Sequence, residues 1–203
     1  MNTPKLLQTL ERCEDDTSIV LPNGARFVRK LPGDAPLAFL HTLYPPLKNC
    51  DIAIQEAALG RRLPEDFASF LTFADGAALF AGVVSLSGFS ENAGRSTRLE
   101  DQRAISILWE NEMFAASSPG RWKSGWIRIG AVSGWDSQFS IELHVGGVCA
   151  ILDDSGREAS FVSFSACLDR IIDSVQPYFS CDGLIDQSYA TLETSLGSLI
   201  PHA

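Results

Sequence analysis

The spacing of apolar positions changes period several times along the chain, and each change predicts a change of element. In residues 4–13, Leu6, Leu7 and Leu10 recur at helical spacing behind Thr3 and Pro4, an N-cap residue followed by a first-turn proline. This predicts a short opening helix, ended by Glu14-Asp15-Asp16. Two short β-type runs, residues 18–21 and 25–28, flank Pro22-Asn23-Gly24, whose residues suit a tight reversal, so a hairpin is expected. Asp34-Ala35-Pro36 reads as another helix start. Leu37, Phe39, Leu40 and Leu43 would be carried on that helix until Pro45-Pro46 stops it.

Residues 51–76 predict a pair of helices. Asp51 is expected to cap the first, whose apolar positions Ile52, Ile54, Ala58 and Leu59 run up to Gly60 as C-cap. Leu63-Pro64-Glu65-Asp66 opens the second, with Pro64 at the first helical position and two carboxylates where the helix dipole favours negative charge. Phe67, Phe70, Leu71 and Ala74 follow at helical spacing, and Asp75-Gly76 breaks the run.

Residues 77–89 are short apolar runs broken by Gly82 and Gly88, which suits strands. Residues 99–114 return to helical spacing through Ile105, Leu108, Trp109 and Met113. That assignment leaves Glu100, Asp101, Arg103 and Glu110 to solvent. Two strands are expected over 126–132 and 138–145, the second alternating Phe139, Ile141 and Leu143 with Ser140, Glu142 and His144. Gly146-Gly147 predicts a hairpin into residues 148–152, and the string from Asp153 to Gly156 predicts the next turn. Ser163 is placed to cap a last core helix bearing Phe164, Leu168, Ile171, Ile172 and Val175. Beyond Pro177, Tyr189, Leu192 and Leu196 suit a short helix packed on the body.

The predicted elements mix helices and strands along the whole chain. The chain has 203 residues, 45% of them hydrophobic, enough for one domain with a real core. No apolar run reaches the roughly 18 to 20 residues of a membrane span, and the N-terminus lacks the features of a signal peptide, so a cytoplasmic protein without membrane contact is expected. Five widely spaced cysteines, with no C-x-x-C pair, are expected to be reduced and mostly buried.

The net charge is −9, and residues 151–203 hold two basic residues against eight acidic ones. Such a balance disfavours direct nucleic-acid binding and steers in a basic protein partner. Ordinary solubility is the competing explanation of the same charge.

With these elements in order, the chain resembles the SUKH superfamily of toxin-immunity and Smi/Knr-type regulatory proteins. The resemblance is carried by Glu56, Leu59-Gly60, Leu63-Pro64, Phe67 and Phe70-Leu71, and by Asp75-Gly76, where the family commonly has Asn-Gly. It continues through the Ile-x-Ile-Gly string at 127–130, Gly134, Asp153-Asp154 and Ala159-Ser160-Phe161. The expected organisation is a helix and hairpin extension over 1–50, a SUKH-like domain over 51–176 and an acidic tail over 177–203. The resemblance implies an α+β fold, with an antiparallel sheet packed against several helices, and a non-enzymatic protein-binding role. The leading expectation is an immunity protein that neutralises a cognate toxin by binding it, many toxins of such systems being nucleases, and the alternative is a regulator or scaffold tied to the cell wall or signalling. The matched residues form the fold, so no functional site carries over with them.

Catalytic chemistry is thinly represented. The chain contains His41, His144 and His202 only. A His144–Cys149 dyad across the Gly146-Gly147 turn is conceivable, but alternation puts His144 on the polar face with no group to orient it. Asp153, Asp154 and Glu158 depart from the EF-hand spacing and suit a plain turn better than a cation. The common hydrolase, phosphate-loop and zinc motifs are absent from the sequence, so no enzyme activity, metal or cofactor is expected. Trp109 and Trp126 sit on apolar periodicities and are expected in the core. Trp135, between Gly134 and Asp136 in a loop, is instead a candidate anchor for a partner. The expected partner-binding residues are therefore Glu100, Asp101, Glu110, Trp135 and Asp136.

Overall fold

The computed structural model describes residues 4–32, 37–90, 98–117, 125–134, 137–183 and 189–200, the side chains of Ser117, Tyr189, Ala190 and Glu193 excepted. The fold is α+β. Among the described residues nine strands form one antiparallel sheet in which every strand pairs with its neighbours in sequence, accompanied by six helices. The strands are β1 (Ile19–Val20), β2 (Arg26–Lys30), β3 (Phe39–Leu43), β4 (Ala77–Leu79), β5 (Val84–Leu86), β6 (Trp126–Ser133), β7 (Gln138–His144), β8 (Cys149–Leu152) and β9 (Glu158–Phe161). The helices are α1 (Pro4–Cys13), α2 (Asn49–Leu59), α3 (Glu65–Phe73), α4 (Ile107–Ser117), α5 (Phe164–Val175) and α6 (Tyr189–Gly197).

The core forms where α1, α3, α5 and α6 bury their stripes together with one face of the sheet. Helix α5 supplies the clearest case. Its Ser163 side chain accepts from the backbone N–H of Ala166 at 3.1 Å, and Phe164, Cys167, Leu168, Ile171, Ile172 and Val175 recur at helical spacing, all buried. Phe164 meets Phe67 edge-on at 5.0 Å and Phe70 at 5.3 Å between ring centroids, joining α5 to α3. Leu63, Phe67, Phe70 and Leu71 are all buried there, as their spacing predicts.

Local signals place most boundaries within a residue or two. Gly60 ends α2 in the left-handed region at φ 67°, which a side chain would resist. Asp51 is the third helical residue rather than the cap, and its carboxylate accepts from the backbone N–H of Lys48 at 3.1 Å. Pro64 is the residue before α3, with Glu65 and Asp66 in the first turn. Of the apolar positions expected to pack α2, Ile52 is buried, whereas Ile54 is 64% exposed.

Two of the expected helices are not formed as expected. Residues 39–43 form strand β3, not a helix, and Asp34 to Pro36 lie outside the described residues. All five residues of β3 are buried, so both faces are covered and the alternation that identifies a half-buried strand is missing. An apolar run of this length is locally ambiguous, and pairing with β2 (Val28 opposite His41) and β4 (Leu43 opposite Ala77) decides it.

The second failure lies in 99–114, expected as one helix. Leu99–Asp101 is a 3₁₀ turn, and the chain then stays extended until α4. The cause is a pair of long-range backbone bonds: Gly88 donates to the carbonyl of Ile105 at 2.9 Å, and Ile107 donates to the carbonyl of Gly88 at 2.7 Å. Helix α4 can begin only after this bridge.

Candidate binding surface

Helix α4 is fixed to the sheet by polar groups. The side-chain amide of Asn111 donates to the carbonyls of Ile107 and Arg128, each at 2.8 Å, and its oxygen accepts from the backbone N–H of Arg128 at 2.8 Å. Both backbone groups of Arg128 are thus satisfied at the point where the β6–β7 register shifts between Arg128 and Gly130. Asn111 is buried as a result. Beside it, Glu110 forms an ion pair with Arg128 at 3.2 Å and accepts a hydrogen bond from the hydroxyl of Ser87. The Arg128 guanidinium also lies 5.2 Å from the centroid of the Phe114 ring.

These contacts turn α4 over relative to its expected orientation. Ile107 and Asn111 face inward, while Trp109 is 56% exposed and Met113 50%. Glu112 and Ala116 are exposed on the same side, so positions 109, 112, 113 and 116 form one solvent-facing row. Ile105, just before the helix, is 48% exposed. The expected core role of Trp109 is therefore overturned. A tryptophan and a methionine four residues apart, with a carboxylate between them, make an amphipathic surface suited to protein recognition.

Of the expected binding residues, the three that are described lie on two elements, the 3₁₀ turn and α4. Glu100 and Asp101 are exposed on the 3₁₀ turn, which is held by the side-chain nitrogen of Asn23 and by Arg103, donating to the carbonyl of Glu100 at 3.2 and 2.8 Å. Glu110 was expected to reach solvent, and this too is corrected, because its carboxylate is taken up by Arg128 and Ser87. Trp135 and Asp136 lie outside the described residues. Sequence reasoning missed Met113 and Glu112 as surface candidates. The signal available for them was the alternative stripe Ile107, Leu108, Asn111, Phe114 and Ala115, which a single polar residue disguises.

The catalytic and metal candidates are also placed. Leu143 stands opposite Cys149 in the β7–β8 pairing, so Cys149 shares its face of the sheet and His144 projects from the other. The two are not brought together as a dyad. His144 instead packs against Trp126 at 5.0 Å and accepts from the backbone N–H of Gly146 at 3.2 Å. Trp126 is half-buried.

Asp153 organises a turn. It accepts from the Ser155 and Arg157 backbone N–H groups, each at 2.9 Å, and from Arg157 Nε at 2.7 Å. Burial pushes its carboxyl up, but the bonds from Ser155 and Arg157 outweigh this and bring its pKa to about 2. Among the described residues no three His, Cys, Asp or Glu side chains are grouped so as to hold a metal ion, and no helix is long and apolar enough to cross a membrane.

A concavity of about 670 Å³ opens where α3 and α5 begin and is lined by Pro64, Glu65, Ser69, Val145 and Val162. Val162 is 87% exposed at its rim. No protein-family model matches the sequence, and no curated protein matches it significantly.

Proposed function

We propose that this chain is a non-enzymatic protein-binding module of the immunity type, which neutralises a basic toxin domain by covering the surface that the toxin needs for its substrate. The observation that carries this reading is the outward row of Trp109 and Met113 on a helix whose inner face is locked by Asn111 and Glu110. A rigidly mounted, exposed tryptophan is what a binding hot spot requires, because little ordering is left to do on association. The net charge of −9 and the exposed Glu100, Asp101 and Glu112 supply the long-range attraction. Nuclease domains carry Lys and Arg to grip phosphate, so an acidic protein can occupy the same surface. The resemblance to SUKH proteins supports the same role.

The test is co-expression of this chain with the toxin gene adjacent to its own, scoring survival. The native chain protects; Trp109→Ala and the Glu100→Lys, Asp101→Lys double variant lose protection while remaining folded. Failure of the native chain to protect against any adjacent toxin removes the immunity reading, and full protection by folded variants removes this surface. Rising salt slows association of the pair more than it speeds dissociation, because exposed charge acts mainly on encounter.

A further inference from the structure

The fold brings four of the five cysteines into two pairs that the sequence keeps far apart. Cys149 on β8 and Cys167 on α5 meet inside the core, both fully buried. Cys13, the last residue of α1, lies with its sulfur 3.4 Å from the sulfur of Cys181, which follows the 3₁₀ turn at Gln176–Tyr178. All are free thiols. The two pairs differ in access. Cys13 is buried, but its partner Cys181 is only half-buried, so this pair borders solvent on the Cys181 side. Cys50, on α2, is exposed.

The seam that holds Cys13 against Cys181 is made independently of the sulfurs. Lys5 pairs with Asp173, and the Thr9 hydroxyl donates to the Gln176 side chain at 2.8 Å, tying α1 to the end of α5. Arg29 pairs with Asp15 at 2.9 Å and also with Asp182, bridging the segment after α1 to the residue after Cys181. Gly183 lies against the Leu31 side chain, which a Cβ at that position would have to displace. Two thiols fixed in contact by contacts of this kind need only a small approach to reach the S–S bond length of about 2.05 Å.

We propose that Cys13 and Cys181 are a peroxide-responsive site, forming an intramolecular disulfide that fastens the C-terminal segment to the N-terminal helix. The chemistry takes two steps. The Cys181 thiolate attacks one oxygen of hydrogen peroxide, the O–O bond breaks, and hydroxide leaves, giving a sulfenic acid at Cys181. The Cys13 sulfur then attacks the Cys181 sulfur and loses its proton; the S–O bond breaks and the hydroxide it releases leaves as water. In total two thiols and one peroxide give one disulfide and two waters, with two electrons passing from sulfur to oxygen. The order of attack follows from access and from protonation. Burial, then the hydrogen bond and charge of the neighbouring Cys181 sulfur, push the Cys13 thiol up to about 11, so at neutral pH Cys13 is the resolving thiol. The disulfide closes nearly the whole chain into a loop, and long loops lose the most freedom in the unfolded state.

The experiment treats reduced, full-length protein with one to a few equivalents of hydrogen peroxide, then blocks remaining thiols and maps disulfides by mass spectrometry. The expected product is a monomer with two thiols lost, a Cys13–Cys181 linked peptide, and a thermal midpoint raised by several degrees that returns on adding dithiothreitol. Cys181→Ser, at the half-exposed position, abolishes the linked peptide and the shift. Cys50→Ser leaves both. Cys13 is buried, so the native chain and the Cys181 variant carry the conclusion rather than a Cys13 substitution. Oxidation confined to Cys50, a Cys149–Cys167 disulfide formed first, Cys181 passing to sulfinic acid with Cys13 still free, or no loss of thiols would each overturn the proposal.

Discussion

The carboxylate of Asp66, in the first turn of α3, accepts a hydrogen bond at 2.9 Å from the backbone N–H of Ser165, in the first turn of α5, 99 residues further along the chain. Its other oxygen accepts from the N–H of Phe67 at 2.9 Å. One side chain therefore satisfies amide groups at the starts of two helices and sets how they meet. Asp66→Ala is expected to lower unfolding stability by about 1 to 2 kcal/mol, whereas Glu65→Ala, at the exposed neighbouring position, changes it by less than about 0.5. Urea unfolding of the two variants checks this; equal losses would refute the double capping role.

Phe70 is fully buried and in contact with Phe67 and Phe164. Phe70→Ala removes the ring that joins α3 to α5, and the expected loss is about 3 to 5 kcal/mol. A chemical melt showing a change of a few tenths of a kcal/mol would contradict this packing.

Asn111 and Trp109 make opposite predictions on one helix. Asn111→Ala leaves both backbone groups of Arg128 without their partner inside the structure and is expected to cost about 2 to 3 kcal/mol. Trp109→Ala removes a side chain that is 56% exposed and is expected to cost under about 1 kcal/mol. Calorimetry on the pair distinguishes this arrangement from one in which Trp109 is core, which reverses the order.

His41 gives stability a definite pH dependence. It is fully buried on β3, its Nδ1 accepts from the backbone N–H of Phe80 at 3.3 Å, and its ring stands edge-on to Phe80 at 4.9 Å. Burial, with the nearby Arg12 charge adding to it, lowers its pKa from 6.5 to about 3. The folded state therefore prefers neutral imidazole, and the unfolded chain binds the extra proton. Stability is complete above pH 6.5 and falls toward pH 3, by about 1.4 kcal/mol per pH unit while the imidazole is protonated only in the unfolded chain. His41→Leu should flatten this slope relative to the native chain in urea unfolding from pH 7 to 4; an unchanged slope would rule His41 out as its source.

Asp75 contributes with the opposite sign. It is buried, and its carboxylate accepts from the N–H groups of Phe89 and Ser90 at 2.6 and 3.0 Å and from the Ser90 hydroxyl. Burial raises its pKa above the ordinary 3.8 despite these bonds. The group's contribution is full below 3.8 and declines as pH rises through the folded value, so Asp75→Asn should lessen that decline in the acid range.

Much of the architecture was legible because it is written at short range. Phe139, Ile141 and Leu143 alternate with polar residues and mark β7, although Glu142 between them is buried as well, and Pro22-Asn23-Gly24 turns the chain between β1 and β2. Ser163 marks the start of α5, and the α5 stripe identifies its inner face correctly. Caps, turns and periods depend on residues within four or five positions of each other, so local sequence suffices to state them.

The exposed row on α4 and the contact between Cys13 and Cys181 were decided at long range. β3 is a strand because β2 and β4 offer backbone partners on both sides, and α4 starts late because Gly88 bonds to residues 105 and 107. The inner face of α4 is set by a buried Asn111, which an apolar stripe leaves out because hydrophobicity records a polar group's cost in isolation. That cost is cancelled by the Arg128 backbone, 17 residues away. Cys13 and Cys181 are 168 positions apart and meet only because α1 and the end of α5 share one core. Local sequence signals sufficed for most element boundaries and for the helices that build the core, since these follow from local conformation and burial. Which polar side chains are satisfied, which face of α4 is left to water and which thiols touch were settled only by tertiary structure, because each depends on a partner that folding alone brings near.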